Sequence, residues 1–319
     1  MVETFEKVRL GISTCLLGQP VRYDGQHKLD TFLRDTLGRF VEYVPVCPEV
    51  ECGLPIPREA MRLEGNPDNP RLMTHKTRRD ITEMQQAWGR KRLKELESED
   101  LDGYIFKSKS PSSGLFRVKV YQESGMPVKQ GVGIWARMFT ERFPLLPVEE
   151  EGRLHDPVLR ENFIERIFVM RRWRKMLAEN STRGGLVEFH TRHKYLILAH
   201  SSKAYSDLGK IVAGMKGRNL KEVQSEYLAI LMPALTVTAT VKKSVNVLQH
   251  MQGYFKKQLT ADEKKEMSET LNEYARGFIP LIVPVTLIRH YVRKYGEPYL
   301  ADQWYLNPHP LELQLRNHA

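Results

Sequence analysis

Apolar residues fall in short runs through the first half of the chain and in longer, helically spaced sets through the second. VRLGIST (8–14) is a short apolar run and predicts a buried strand. KLDTFLRDTLGRF (28–40) places Leu29, Phe32, Leu33, Leu37 and Phe40 on one helical face, which predicts an amphipathic helix. VEYVPVC (41–47) predicts a second strand, 76–100 a second helix by period and propensity, and DGYIFKSKS (102–110) a third strand. Strand, helix, strand, helix, strand predicts an α/β N-terminal domain: a Rossmann-like parallel sheet with helices on its faces.

The character changes across FPLLPVEEEGRLHDPV (143–158), where prolines, an acidic run and Gly152 precede Asp156-Pro157, a plausible helix start. Beyond it, 158–179, 186–201, 220–259 and 261–279 all carry helical patterning, with Pro233 expected to break or kink the longest run. The predicted domains are therefore residues 1–150, α/β, and residues 151–319, all-α.

Charge separates the two halves further. The chain has a formal net charge of +10. Residues 1–150 carry 23 Lys and Arg against 22 Asp and Glu, whereas residues 151–319 carry 26 against 17. A polyanionic partner would thus find most of its footing on the second half. No apolar run reaches the length a bilayer requires, GFIPLIVPVTLI being short and broken by two prolines. No export signal is visible at the N-terminus. The expectation is a cytoplasmic protein that is not membrane-bound and has no obligate protein partner.

Only three cysteines occur, and two of them, Cys47 and Cys52, share the Pro-punctuated stretch VPVCPEVECGLPIPRE (44–59) with Glu49 between them. Ligands of open parallel sheets gather at the carboxyl ends of the strands, and Cys15, Cys47 and Ser110 each follow a predicted strand there. The absence of an export signal points to metal ligation or catalysis rather than a disulfide framework. Zinc would need a fourth ligand such as His27. Three thiolates without an obvious fourth protein ligand suit an iron–sulfur cluster with one open iron. Three buried structural thiols are the plain alternative.

GISTCLLGQPVRYDG, VCPEVECGLPIPRE and GYIFKSKSPSSG resemble the three signature segments of the DUF523 family, the thiouracil desulfidases. FHTRHKYLILAHS, NVLQHMQGYFK, YARGFIPLIVPVTLIRHYV and YLNPHPLELQLR resemble the DUF1722 domain. The combination resembles two-domain desulfidases that remove sulfur from 4-thiouridine in tRNA. The resemblance implies a [4Fe-4S] cluster held by three cysteines, with the substrate sulfur meeting the open iron. It also implies Glu49 as general base or proton shuttle and Ser110 as its hydrogen-bonding partner. Many relatives have cysteine where this chain has Ser113, in SPSSG, and often lack one at Cys52. Cys52 is accordingly expected to join Cys15 and Cys47 as the third ligand; the alternative is an incomplete site at Ser113. A solvated loop glutamate and a turn-capping serine are the plain readings of Glu49 and Ser110. Glu51, the nearest rival carboxylate, is expected to face outward.

A base inside folded tRNA must be extruded to reach an iron, which calls for separate purchase on the phosphate backbone. Arg171, Arg172, Arg174 and Lys175 are the candidates for RNA contact. Trp173 among them is either a base-stacking platform or core. His190 and His193 have i,i+3 spacing that suits a metal or ordinary hydrogen bonding. The leading expectation is a hydrolytic tRNA 4-thiouridine desulfidase. Its rivals are a desulfidase of free thiouracil or thiouridine nucleotide, and a non-catalytic iron–sulfur module that binds RNA or senses redox state.

Overall fold

A computed structural model describes residues 7–317. These divide into two compact units, one ending at Asp156 and the other beginning at Pro157. The elements of the first are β1 (Val8–Ser13), β2 (Val41–Val46), α1 (Pro48–Glu51), β3 (Met61–Asn66), β4 (Asn69–Thr74), α2 (Thr82–Glu97), β5 (Gly103–Phe106), β6 (Val118–Tyr121), β7 (Pro127–Gly131), α3 (Ile134–Arg142) and β8 (Val148–Glu150). β2, β1, β5 and β8 form an all-parallel sheet in that order. Every residue of β5 is buried, as expected of a parallel strand covered on both faces. Tyr104 and Phe106 pack there with Trp135 and Phe139 of α3, and the Trp135 indole donates to the Tyr104 hydroxyl at 3.1 Å. Gly11 of β1 makes room for this cluster: a Cβ there would lie 2.2 Å from the Tyr104 ring. The predicted α/β class is therefore the observed one.

Two local expectations change. Residues 28–40 do not form one regular helix; Phe32–Thr36 makes a wide π turn and Leu37–Arg39 a tight 3₁₀ turn. Thr31, Thr36 and Gly38 are weak helix formers, and the Asp30 carboxylate takes the Leu33 N–H at 3.0 Å, fixing the entry turn. Leu33 and Leu37 are still fully buried, so the apolar face survives without the helix.

The second change is a further sheet, in the order β4-β3-β6-β7, which period alone did not reveal. Asn66 pairs with Asn69 across the antiparallel β3–β4 hairpin, leaving Pro67 and Asp68 as its turn. The Asn66 side chain accepts from the Asp68 N–H at 2.9 Å, an Asx turn. Leu63, Leu72, Val118 and Val120 of this sheet pack with Ile81 and Ile134.

The second unit is helical: α4 (Pro157–Glu179), α5 (Arg183–His200), α6 (Ser202–Ala213), α7 (Leu220–Leu235), α8 (Val241–Gln252), α9 (Ala261–Ala275), α10 (Ile282–Tyr295) and α11 (Pro298–Ala301). Thr182, Ser201, Asn219, Thr240 and Thr260 each cap the following helix through the side chain, Thr260 forming a full capping box with Glu263. Pro233 sits in the last turn of α7, and the run 220–259 breaks just after it. Pro284 lies in the first turn of α10, where its missing N–H costs nothing; the proline-broken apolar stretch is helical from Ile282 onward. No helix among the described residues is long and apolar enough to cross a membrane.

Candidate active site at the carboxyl edge of the parallel sheet

The register of the sheet decides what can meet at its edge. Ser13 of β1 lies level with Val46 of β2, and Ile12 level with Ile105 of β5. The three chains leaving these strands therefore start side by side. Cys15 enters a 3₁₀ turn at Thr14–Leu17, Cys47 is the N-cap of α1, and Lys107 to Ser110 follow β5. The Lys107 N–H donates to the Ser13 hydroxyl at 3.0 Å, tying two of these loops together.

Between them lies a cavity of about 460 Å³, of small-ligand size, whose wall includes Cys15, Cys47, Glu49, Ser110 and Ser113. Residues 98 positions apart in sequence thus reach one hollow.

Both thiols are buried. Burial, and then the charge of Glu49, pushes Cys15 up to about 11 and Cys47 up to about 12. The Cys47 thiol points at the Glu49 carboxylate, 3.6 Å away. The same carboxylate oxygen, Oε2, lies 3.9 Å from the Arg58 guanidinium, and Arg58 is anchored by donating to the Val21 carbonyl at 3.0 Å. Arg58 carries no catalytic signature in sequence, although it belongs to the PIPRE segment.

Cys52 sits at the far end of α1, half-exposed, its thiol donating to the Glu49 carbonyl at 3.3 Å. It is not part of the cavity wall, whereas Ser113 is. Its thiol is nonetheless raised by burial and then by the same Glu49 charge, so one carboxylate neighbours all three thiols. Glu51 is exposed and outside the cavity wall, as expected; its carboxylate accepts from the Cys47 N–H at 2.7 Å and pairs with Arg92 at 3.4 Å, because the single turn of α1 carries it back to the N-terminus. His27 lies on the surface, where its ring accepts from the Leu29 N–H.

The Ser110 hydroxyl accepts the N–H groups of Ser112 (3.2 Å) and Ser113 (3.0 Å). It therefore shapes its own turn and keeps an O–H to donate toward the cavity. That loop is fastened to α3: the N–H groups of Gly133, Ile134, Trp135 and Ala136 donate to the carbonyls of Gly114, Pro111 and, for the last two, Ser112. The first orphan amides of a helix are thus satisfied by the serine loop. Gln85 of α2 adds a hydrogen bond to the Ser112 hydroxyl at 3.0 Å.

Around the cavity stand Arg22, Lys28, Arg58, Lys107 and Lys109 against the single acid Glu49. Lys107 pairs with Glu151, and Arg22 with Asp24 at 3.4 Å. The net charge of the first half concealed this local excess, because its acids lie elsewhere.

In the second unit, Arg172 donates to His193 at 3.0 Å and to the Pro308 carbonyl at 2.9 Å, and lies over Trp304 at 4.2 Å. Arg171 and Arg174 are half-buried on α4, and exposed Lys175 pairs with Glu179 at 3.9 Å. Trp173 is core: it is 2% exposed and stacks on Tyr227 with rings 1° from parallel. His193 joins Phe189 and Arg172, and His190 meets the Tyr227 hydroxyl at 3.0 Å, so these two histidines are occupied by hydrogen bonds.

Two soft donors and a carboxylate facing one cavity, with a third thiol one helical turn away, form a donor set of the kind that thiophilic metals select. The residues therefore fit an iron–sulfur group, with Cys15 and Cys47 in the wall and Cys52, one turn of α1 away, as the remaining thiol. That set, at the carboxyl edge of a parallel sheet, defines a sulfur-ligand site in an α/β domain.

Residues 10–151 match the family model for 2-thiouracil desulfurase, and residues 194–310 match that for a protein of unknown function, DUF1722. The chain is 30% identical to a [4Fe-4S]-dependent thiouracil desulfidase, TudS, over 47% of this chain and 94% of that one, with a TM-score of 0.38. It is 32% identical over 153 residues to the uncharacterized protein YbgA of Escherichia coli (strain K12), covering 48% of this chain and 90% of the relative. The chain belongs to the 2-thiouracil desulfurase family, with a DUF1722 domain following in the same polypeptide.

Proposed function

We propose that this protein is a cytoplasmic, hydrolytic desulfidase that converts 4-thiouridine in tRNA to uridine and releases sulfide. The observation that carries the reading is the meeting of Cys15, Cys47, Glu49 and Ser110, from three separate loops, in one cavity. Cys15, Cys47 and Cys52 would hold a [4Fe-4S] cluster. When bound, such a cluster supplies a Lewis-acidic iron with affinity for the substrate sulfur.

The remaining work falls to side chains of this chain. Replacing C=S by C=O consumes water and changes no oxidation state. Glu49 takes a proton from that water and delivers it to the departing sulfur, and the second proton leaves the new C–OH as the C–S bond breaks, so that water and thiocarbonyl give carbonyl and hydrogen sulfide. Arg58 keeps the carboxylate aimed into the cavity, and the Ser110 O–H orients the water or the base. The five cations at the cavity support a substrate with phosphate beside its thiolated base. They serve a nucleotide as well as tRNA, so thiouridine monophosphate is the second reading. The excess positive charge of the second half favours the polymer.

The test is anaerobic reconstitution with iron and sulfide, followed by sulfide release from 4-thiouridine tRNA and from the free nucleotide. Glu49→Gln is expected to lower release by about 10²-fold or more, in the range for a lost general base. Cys52→Ala should abolish it and Cys52→Ala/Ser113→Cys restore it. Full activity in Glu49→Gln removes the base assignment. Activity on the nucleotide alone moves the substrate to the second reading.

A further inference from the structure

Outside the sulfur site, the second unit holds a separate cluster of ligating groups. Glu161 and Glu165 stand one turn apart on the same face of α4, and His309 approaches them from the segment after α11. One ligand atom from each of the three lies within 4.8 Å of the others. His309 is 3% exposed. Its Nδ1 faces the Pro310 carbonyl at 3.3 Å, which places the ring proton there and leaves Nε2 as a bare lone pair. That Nε2 is buried and has no hydrogen-bond partner among the described residues. Pro308 and Pro310 flank His309 and restrict the backbone that aims it.

A lone pair beside two carboxylates is an electrostatic mismatch unless a positive charge lies between them. Arg316 supplies part of that charge, donating to Glu161 at 3.0 Å and to Glu165 at 2.8 Å. His200 has one nitrogen facing Glu165 at 3.1 Å and the other the Val237 carbonyl at 2.6 Å. Neither reaches His309 with a donor. Each carboxylate oxygen has two acceptor directions, so Arg316 and a cation can share the same carboxylates. Cavities flank the cluster on two sides: one of about 280 Å³ borders Glu161, Glu165, His200 and Arg316, and one of about 390 Å³ borders His309 and Arg316.

We propose that Glu161, Glu165 and His309 bind a divalent first-row metal ion in the helical unit, independent of the sulfur site. Two carboxylates and one imidazole, with no thiolate, suit manganese or iron(II). The ion ties the C-terminal segment to α4, with Arg316 as the outer cation that sets the two carboxylates side by side. His193, by contrast, has both ring nitrogens engaged, by Arg172 and the Phe189 carbonyl.

The test is titration of the full-length protein with Mn²⁺, followed by the electron paramagnetic resonance of free and bound ion. One bound Mn²⁺ per chain is expected, with nitrogen hyperfine coupling from a single imidazole. His309→Ala and Glu161→Gln should each weaken binding by at least about tenfold, in the range seen when a metal site loses a supporting group, while Cys47→Ser should not change it. Absence of stoichiometric binding, or bound Mn²⁺ without nitrogen coupling, overturns the proposal; the latter needs no variant that might misfold. Loss of binding in Cys47→Ser also overturns it, by placing the ion at the sulfur site. A shared proton between Glu161 and His309 would then satisfy the lone pair instead.

Discussion

Replacing Gly133 by Ala should dismantle the serine loop of the candidate site from outside the cavity. Gly133 has φ −60° and ψ 148°, a conformation any residue adopts, so the backbone itself is indifferent to a side chain. The obstacle is contact: a Cβ would lie 2.4 Å from the Ser112 oxygen, 2.5 Å from its carbonyl carbon and 2.9 Å from the Gly114 nitrogen. All three are backbone atoms, so relief requires loop and helix to part by about 1 Å to reach ordinary van der Waals separation.

Four backbone hydrogen bonds span that seam, at 2.7 Å from Gly133, 3.2 Å from Ile134, 2.9 Å from Trp135 and 3.2 Å from Ala136. At about 1 kcal/mol net for each bond, full separation costs about 4 kcal/mol, and partial separation about half. For a unit of this size that lowers Tm by on the order of 10 °C. Ser110 and Ser113 shift with the loop, so sulfide release should fall together with Tm. Near-ultraviolet circular dichroism, sensitive to the adjacent Trp135, and a sulfide assay measure both. A Gly133→Ala protein that melts within about 2 °C of wild type and releases sulfide at the wild-type rate refutes the reasoning.

Arg58→Lys removes the fork that reaches both Glu49 and the Val21 carbonyl; release should drop while the fold survives, and an unaltered rate would show that Glu49 needs no such support. Trp173→Ala should destabilise the helical unit by about 3–5 kcal/mol through the cavity it leaves. Trp173→Phe, in contrast, should bind thiolated tRNA as wild type does; loss of binding in a folded Trp173→Phe would return Trp173 to the RNA surface. Burial, with Lys194 nearby, lowers His190 to about 4. The folded state thus favours neutral His190, and its contribution is complete above pH 6.5 and fades as the pH falls toward 4. The loss is up to about 2 kcal/mol after allowing for partial exposure. Urea titrations from pH 7 to 4 should show a shallower decline for His190→Asn, which keeps an acceptor for Tyr227; identical slopes would contradict this.

Much of the candidate site could be read from the chain alone. Short apolar runs at 8–14, 41–47 and 102–110 sufficed to predict parallel strands, because a strand buried on both faces has little room for polar residues. Their carboxyl ends then singled out Cys15, Cys47 and Ser110, all three of which line the cavity. The plain role of Ser110, shaping its turn, was also visible in SPSSG.

Tertiary structure alone decided the rest. Whether Arg58 holds Glu49, whether Glu51 turns back onto Cys47, and whether Trp173 belongs to the core depend on neighbours from distant segments, which periodicity cannot register. The sheet built from 61–74 and 118–131 depended on pairing β3 with β6 in parallel, a long-range match between short strands. The cationic ring of the cavity vanished in the near-neutral sum of the first half, since charge acts through distance in space and not along the chain. His309 shows the same limit from the other side. In sequence it is a histidine between two prolines; only folding, which brings α4 within reach of the C-terminal segment, sets its lone pair beside two carboxylates.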